Sequence, residues 1–131
     1  MATRFYITPY DPEGWRDPDV SPTARPKSDL HIMTRDFNEQ LRQRWHEAET
    51  FPIHAWEFTY ADEQGVSGSF SGEGNQILTL TGGRSFNEFV FWYRSYISAN
   101  YPLFLFPEGE WASLELTLQT RLEDIAKFTG L

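Results

Sequence analysis

Residues 55–81, AWEFTYADEQGVSGSFSGEGNQILTLT, alternate apolar and polar side chains through three short runs separated by two clusters of turn-forming residues. In 55–61 the rings of Trp56, Phe58 and Tyr60 share one side, and Glu57 and Thr59 take the other. In 66–71 Val66, Gly68 and Phe70 fall in register, with serines between them, and 77–81 repeats the alternation. A period of two is the signature of a β-strand with one covered and one wet face. The intervening 61–65 and 72–75 (GEGN) are short enough to be hairpin turns. Three consecutive strands joined by tight turns predict an antiparallel sheet, solvated on one side.

The pattern changes on both flanks. Upstream, 34–49 places Phe37, Leu41, Trp45 and Ala48 in one narrow apolar stripe with charges elsewhere, which predicts an amphipathic helix ended by Phe51-Pro52. Thr34 or Asp36 is positioned to cap it, and Asp36 with Glu39 has capping-box spacing. Downstream, 85–98 predicts a second helix, opened by Ser85 and Glu88 at the same spacing. Seven of its large apolar residues (Phe86, Phe89, Val90, Trp92, Tyr93, Tyr96, Ile97) occupy one broad arc, while Phe91, Arg94 and Ser95 fall on the polar side. Further strands are expected at 3–8, at 102–107 between two prolines, and at 114–119, where Leu114, Leu116 and Leu118 alternate with Glu115, Thr117 and Gln119. Thr120 and Glu123 open a last helix through Phe128, with Gly130 just beyond its end. The order βαβββαββα predicts an α+β fold: a two-layer sandwich, a mostly antiparallel sheet of about six strands with three helices.

All 131 residues fit one domain, without repeats or a composition break. The irregular stretch is 9–27, a loop containing five of the eight prolines together with Asp11, Glu13, Asp17 and Asp19. Those acids lack the alternate spacing, central glycine and closing glutamate of a calcium loop. Trp15 and Arg16, at its centre, are candidates for partner contact.

Eleven basic against nineteen acidic residues give a net charge of −8, and residues 51–131 carry ten acids but only four bases. Such a field disfavours nucleic acid and anionic membranes and assists a basic partner. No run approaches the ~18 apolar residues of a membrane span, and the chain does not open on a secretory leader. The absence of cysteine excludes disulfides, thiol catalysis and cysteine metal sites, and fits a reducing compartment, so a cytoplasmic location is expected.

Chemistry-bearing motifs are sparse. His31, His46 and His54 have no metal-ligand spacing, and no nucleophile elbow or phosphate loop occurs. Neither a metal nor a cofactor is expected. Gly82-Gly83-Arg84-Ser85, at the start of the second helix, offers amides, a helix dipole and a guanidinium to an anion. Arg84, Ser85 and Tyr93 are therefore candidate ligand-binding residues. Phe91 and Arg94, an exposed aromatic beside an arginine on one helix, have the composition of an interface anchor. No family motif can be matched residue by residue. The function expected from these features is a non-enzymatic module that binds another protein, basic by charge, or a second copy of itself. The alternative is a domain, catalytic or not, for an anionic or aromatic small molecule held between some of the 22 aromatic side chains.

Overall fold

The computed structural model describes residues 4–11, 28–51, 54–110 and 112–131. Within them lie strands β1 (Arg4–Thr8), β2 (Ala48–Phe51), β3 (Ala55–Thr59), β4 (Gln64–Ser71), β5 (Ile77–Thr81), β6 (Leu103–Pro107) and β7 (Leu114–Leu116). The helices are α1 (Thr34–Arg44), α2 (Phe86–Tyr96) and α3 (Leu122–Thr129), with a 3-10 turn at Glu73–Asn75. The fold is α+β, as the alternation predicts, and every strand pair in the single seven-stranded sheet is antiparallel.

Strand order is β2-β3-β4-β5-β1-β6-β7. β3–β5 form the antiparallel meander that 55–81 predicts, and β2 extends it at the outer edge. β1 then inserts between β5 and β6, pairing Phe5 with Leu80 on one side and with Pro107 on the other. The period-two pattern decides the faces. Phe5, Ile7, Trp56, Phe58, Val66, Phe70, Leu78 and Leu80 are buried on one side. Glu57, Ser67, Ser69, Thr79 and Thr81 line a shallow open surface on the other.

Helices α1 and α2 cover the apolar face through aromatic packing. The Phe37 ring of α1 meets Phe70 of β4 edge-on at 4.7 Å and Tyr96 of α2 at 5.6 Å. Phe89 of α2 lies 4.4 Å from Trp56 of β3. Tyr96 also donates a hydrogen bond to Asp36 of α1 at 2.7 Å, joining the helices at their rim. The aromatic residues thus fill the layer between helices and sheet, each pair adding roughly 0.5–1.5 kcal/mol beyond burial. Gly68 is the place where this layer comes closest to the backbone: a Cβ there would lie 2.5 Å from Cζ2 of Trp56.

Two element boundaries differ from expectation. The first helix ends at Arg44 rather than continuing to 49, and 48–51 forms the seventh strand. Trp45 turns extended (φ −131°, ψ 110°), and its N–H closes the helix on the Leu41 carbonyl. Trp45 and Ala48 stay buried all the same, one at the helix end and the other on β2. Pairing with β3 overrides local helical preference, and the Thr59 N–H extends that ladder to the Glu47 carbonyl. The last strand stops at Leu116, because Thr117–Thr120 close into a turn. The Thr120 hydroxyl accepts the Thr117 N–H at 2.8 Å, and the Thr120 N–H returns to the Thr117 carbonyl at 3.1 Å. Leu118 is consequently 66% exposed instead of following Leu116 inward.

The capping expectations shift as well. Neither Thr34 nor Asp36 caps α1, whose N-cap is Met33. Thr120 and Glu123, also at capping-box spacing, give way to a box one residue later: Arg121 N–H donates to the Asp124 carboxylate at 2.9 Å.

Candidate functional site

Helix α2 begins after a close crossing of loops rather than at an open anion pocket. Gly83 lies on the Gly65 backbone, where a Cβ would approach the Gly65 carbonyl oxygen to 2.5 Å. The Arg84 N–H donates to the Gln64 carbonyl, and the Phe86 N–H to the Gly83 carbonyl, so these amides are already engaged. Ser85 adopts a left-handed conformation (φ 71°), and its hydroxyl shares a 2.8 Å hydrogen bond with Tyr60 instead of capping the helix. The Arg84 guanidinium stacks 4.2 Å over the Tyr60 ring and lies 3.3 Å from Asp62 and 3.8 Å from Glu63. An anion placed there would meet two carboxylates. Tyr93 sits two turns further on, buried among Phe37, Phe89 and Tyr96, and burial pushes its hydroxyl pKa far up. Arg84, Ser85 and Tyr93 therefore do not converge on one cavity.

The outward face of α2 has a different character. Phe91 is 47% exposed and Ser95 is exposed beside it, as the helical wheel predicts. Arg94, which the wheel places on the polar side, is only 6% exposed. Its side chain turns inward between the end of α2 and β7. One guanidinium nitrogen donates to the Tyr101 and Leu116 carbonyls at 2.9 and 3.1 Å, and the other to Ile97 and Ser98 at 3.0 and 2.7 Å. The last carbonyls of a helix lack intrahelical donors and carry partial negative charge, so a cation at that end is doubly favoured. Burial lowers the Arg94 pKa, yet guanidinium groups remain charged in proteins. Arg94 thus acts as an internal brace that fixes the surface carrying Phe91, and its guanidinium is not turned toward a partner.

Phe91, Leu116, Leu118, Thr120 and Ile125 line a small depression of about 70 Å³ where α2, β7 and α3 meet. Leu118 and Leu122, the latter 41% exposed at the start of α3, extend the apolar character of this region. The elements that form it carry exposed carboxylates: Glu88 lies one turn before Phe91 on α2 and Glu123 near the start of α3, while Glu115 of β7, next to the inward Leu116, is on the opposite face of the sheet. Of the two cations on or beside α3, Arg121 is occupied by Glu123 at 2.7 Å and Asp124 at 3.6 Å, and Lys127 is exposed in the last turn. The Arg121 N–H bonded to Asp124, together with the guanidinium beside it, holds that carboxyl below its ordinary range.

Trp15 and Arg16 lie outside the described residues. Among the described residues no three His, Asp or Glu side chains lie close enough together to hold a metal ion, and no helix is long and apolar enough to cross a membrane. The sequence predicts an acidic surface in 51–131 but not an exposed Leu118, because strict alternation assigns Leu118 to the core; the Thr117/Thr120 pair is the available sign of a turn. No family model, curated protein or solved structure matches the chain.

Proposed function

We propose that this chain is a non-enzymatic protein-interaction module of the cytoplasm that docks a basic partner protein on the surface around Phe91. The observation that carries the reading is an exposed phenylalanine beside an exposed leucine over one depression, next to a braced helix end, on helices that also carry the exposed Glu88 and Glu123. An aromatic anchor that buries on contact supplies affinity, and a charged rim supplies orientation and association rate. The sign of that rim favours a cationic surface. It also disfavours a second copy of the chain, whose rim would repel, and nucleic acid, whose phosphates would.

The test is affinity capture from lysate of the source cells, with wild-type protein and the variants Phe91→Asp and Leu118→Asp as parallel baits, at low and moderate salt. Both positions are exposed, so each variant keeps its fold, checked by circular dichroism. A stoichiometric basic protein retained by the wild type, weakened by salt and lost from both variants supports the proposal. Capture indifferent to either substitution, or no stoichiometric partner, refutes it.

A further inference from the structure

A separate groove of about 790 Å³ runs between the outer side of α1 and the edge of the sheet at β2. Its charge is opposite to that of the Phe91 surface. Arg35, Arg42, His46 and His54 line it, with Glu39 as the one carboxylate among the lining residues. Among the described residues no carboxylate pairs with Arg35 or Arg42. Arg42 instead donates to the Thr50 hydroxyl of β2, which spans the groove floor. One end is closed by a 2.6 Å hydrogen bond between Thr34 and Nδ1 of His54, a residue held at φ 56°. In a chain of net charge −8, two arginines against a single glutamate on one groove are a local reversal of the protein's field.

The wall opposite α1 is the β2 edge of the sheet. β2 is the terminal strand, and among the described residues only β3 pairs with it. The direction of its free groups follows from register. Glu47 and Thr59 are hydrogen-bonded partners, so in the same ladder Glu49 and Phe51 turn their amides and carbonyls toward β3. Ala48 and Thr50 therefore turn theirs outward. The Ala48 N–H is used by the Trp45 carbonyl. What remains for a newcomer is both backbone groups of Thr50 and the carbonyl of Ala48. Edge strands with free groups are templates for another extended chain, and natural sheets ordinarily blunt them.

We propose that the α1–β2 groove binds an extended acidic peptide segment of a partner protein, which adds to the sheet as a strand beside β2 while Arg35 and Arg42 receive its carboxylates. Strand addition supplies main-chain hydrogen bonds, and a helix lying alongside supplies side-chain selectivity. Four residues of β2 span about 13 Å, close to the ~16 Å of an eleven-residue helix, so the groove reads four or five peptide residues. Alternate residues of the bound strand face α1 at separations of about 7 Å and about 13 Å, which bracket the roughly 10.5 Å between Arg35 and Arg42 on that helix, so acids at alternate positions bring one carboxylate within side-chain reach of each arginine.

The test is fluorescence anisotropy with labelled seven-residue peptides added to the whole protein: EVEVEVE, its basic counterpart KVKVKVK, and EVEPEVE, whose proline lacks a central amide. A labelled oligothymidylate serves as a polyanion without strand-forming backbone. Binding of EVEVEVE, weakened at least tenfold in EVEPEVE and absent for KVKVKVK, is expected. Thr50→Pro removes the outward amide without touching the β3 ladder and should weaken EVEVEVE at least tenfold; Arg35→Glu with Arg42→Glu should do the same. In the wild type, the Thr50 amide resonance should shift on titration. No binding of EVEVEVE up to millimolar concentration overturns the proposal. So does binding that EVEPEVE and Thr50→Pro leave unchanged, or oligothymidylate binding tighter than the acidic peptide, since either would make the groove a plain anion surface.

Discussion

Replacing Arg94 by Met tests how the Phe91 surface is held. Methionine retains the apolar stem, so the change chiefly removes the guanidinium and its four backbone acceptors. Two of these bonds, to Ile97 and Leu116, are fully buried, and the other two are partly buried. Water can replace the donor at Tyr101 and Ser98. At Ile97 and Leu116 it cannot enter without opening the seam between α2 and β7, and each buried carbonyl left unpaired costs about 1–3 kcal/mol. The two together come to about 2–6 kcal/mol, offset in part because a charged group no longer has to be kept from water. The expected net loss is about 3 kcal/mol, a large share of the ~5–15 kcal/mol that holds an ordinary domain. With a urea m-value of about 1.5 kcal/mol/M, the unfolding midpoint should fall by about 2 M. Arg94→Lys, which keeps the charge but has fewer donors and no planar fork, should fall between. The assay is urea unfolding followed by circular dichroism, with amide exchange at Leu116 and Thr117 reporting whether β7 loosens first. A loss below about 1 kcal/mol for Arg94→Met, or equal stability of the Met and Lys variants, would refute the brace.

Other perturbations probe the core and its titrating groups. Gly68→Ala drives a methyl group to 2.5 Å from the Trp56 ring and 3.0 Å from Leu80, so overpacking should cost about 1–3 kcal/mol and lower Tm by roughly 5–10 °C in calorimetry. An unchanged Tm would mean that Trp56 is free to move. Burial raises the pKa of Tyr93, and burial and the Asp36 hydrogen bond raise that of Tyr96, both above the ordinary 10.0. Stability attributable to these two is therefore intact below pH 10 and falls above it, where the unfolded chain ionises and the folded one does not. Tyrosinate absorbance from Tyr93 should appear together with loss of ellipticity; ionisation well before unfolding would contradict its burial. Asp124 has the opposite sign: its carboxyl pKa lies below 3.8, so its hold on the start of α3 is present above that value and lost as the pH falls through the lowered one. Amide shifts of Arg121 in an acid titration should follow it, and Asp124→Asn should remove the transition.

The meander was legible because Trp56, Phe58, Val66 and Phe70 are separated by single polar residues, a spacing that only a strand can bury on one side. The inner arc of α2 and the outward position of Phe91 were legible for the corresponding reason at helical period. Trp45 and Ala48 illustrate the limit: three residues apart, they suit the core side of a helix and also a helix end followed by a strand. Local spacing does not contain the β3 ladder that decides between them. Arg94 fails differently. An arginine is assigned to water unless its acceptors are known, and two of them, on Tyr101 and Leu116, come from segments brought near by folding. The α1–β2 groove was half visible: seven of the eleven basic residues fall within residues 1–50, but only the sheet order shows that β2 is an edge.

The place of β1 in the sheet also sets a timetable for biosynthesis. β1, made before the two strands it joins, is hydrogen-bonded on both sides, to β5 and to β6, and Phe5 finds its register opposite Pro107 only after about a hundred further residues have been made. Until then Phe5 and Ile7 have no finished sheet to enter, and β1, even once paired with β5, keeps an open edge where β6 will lie. At ~5–20 residues per second that interval lasts roughly 5–20 s, during which a hydrophobic strand and an open sheet edge coexist on one nascent chain. Such long-range closure is the slow kind, so the sheet closes around a strand made well before both of its neighbours.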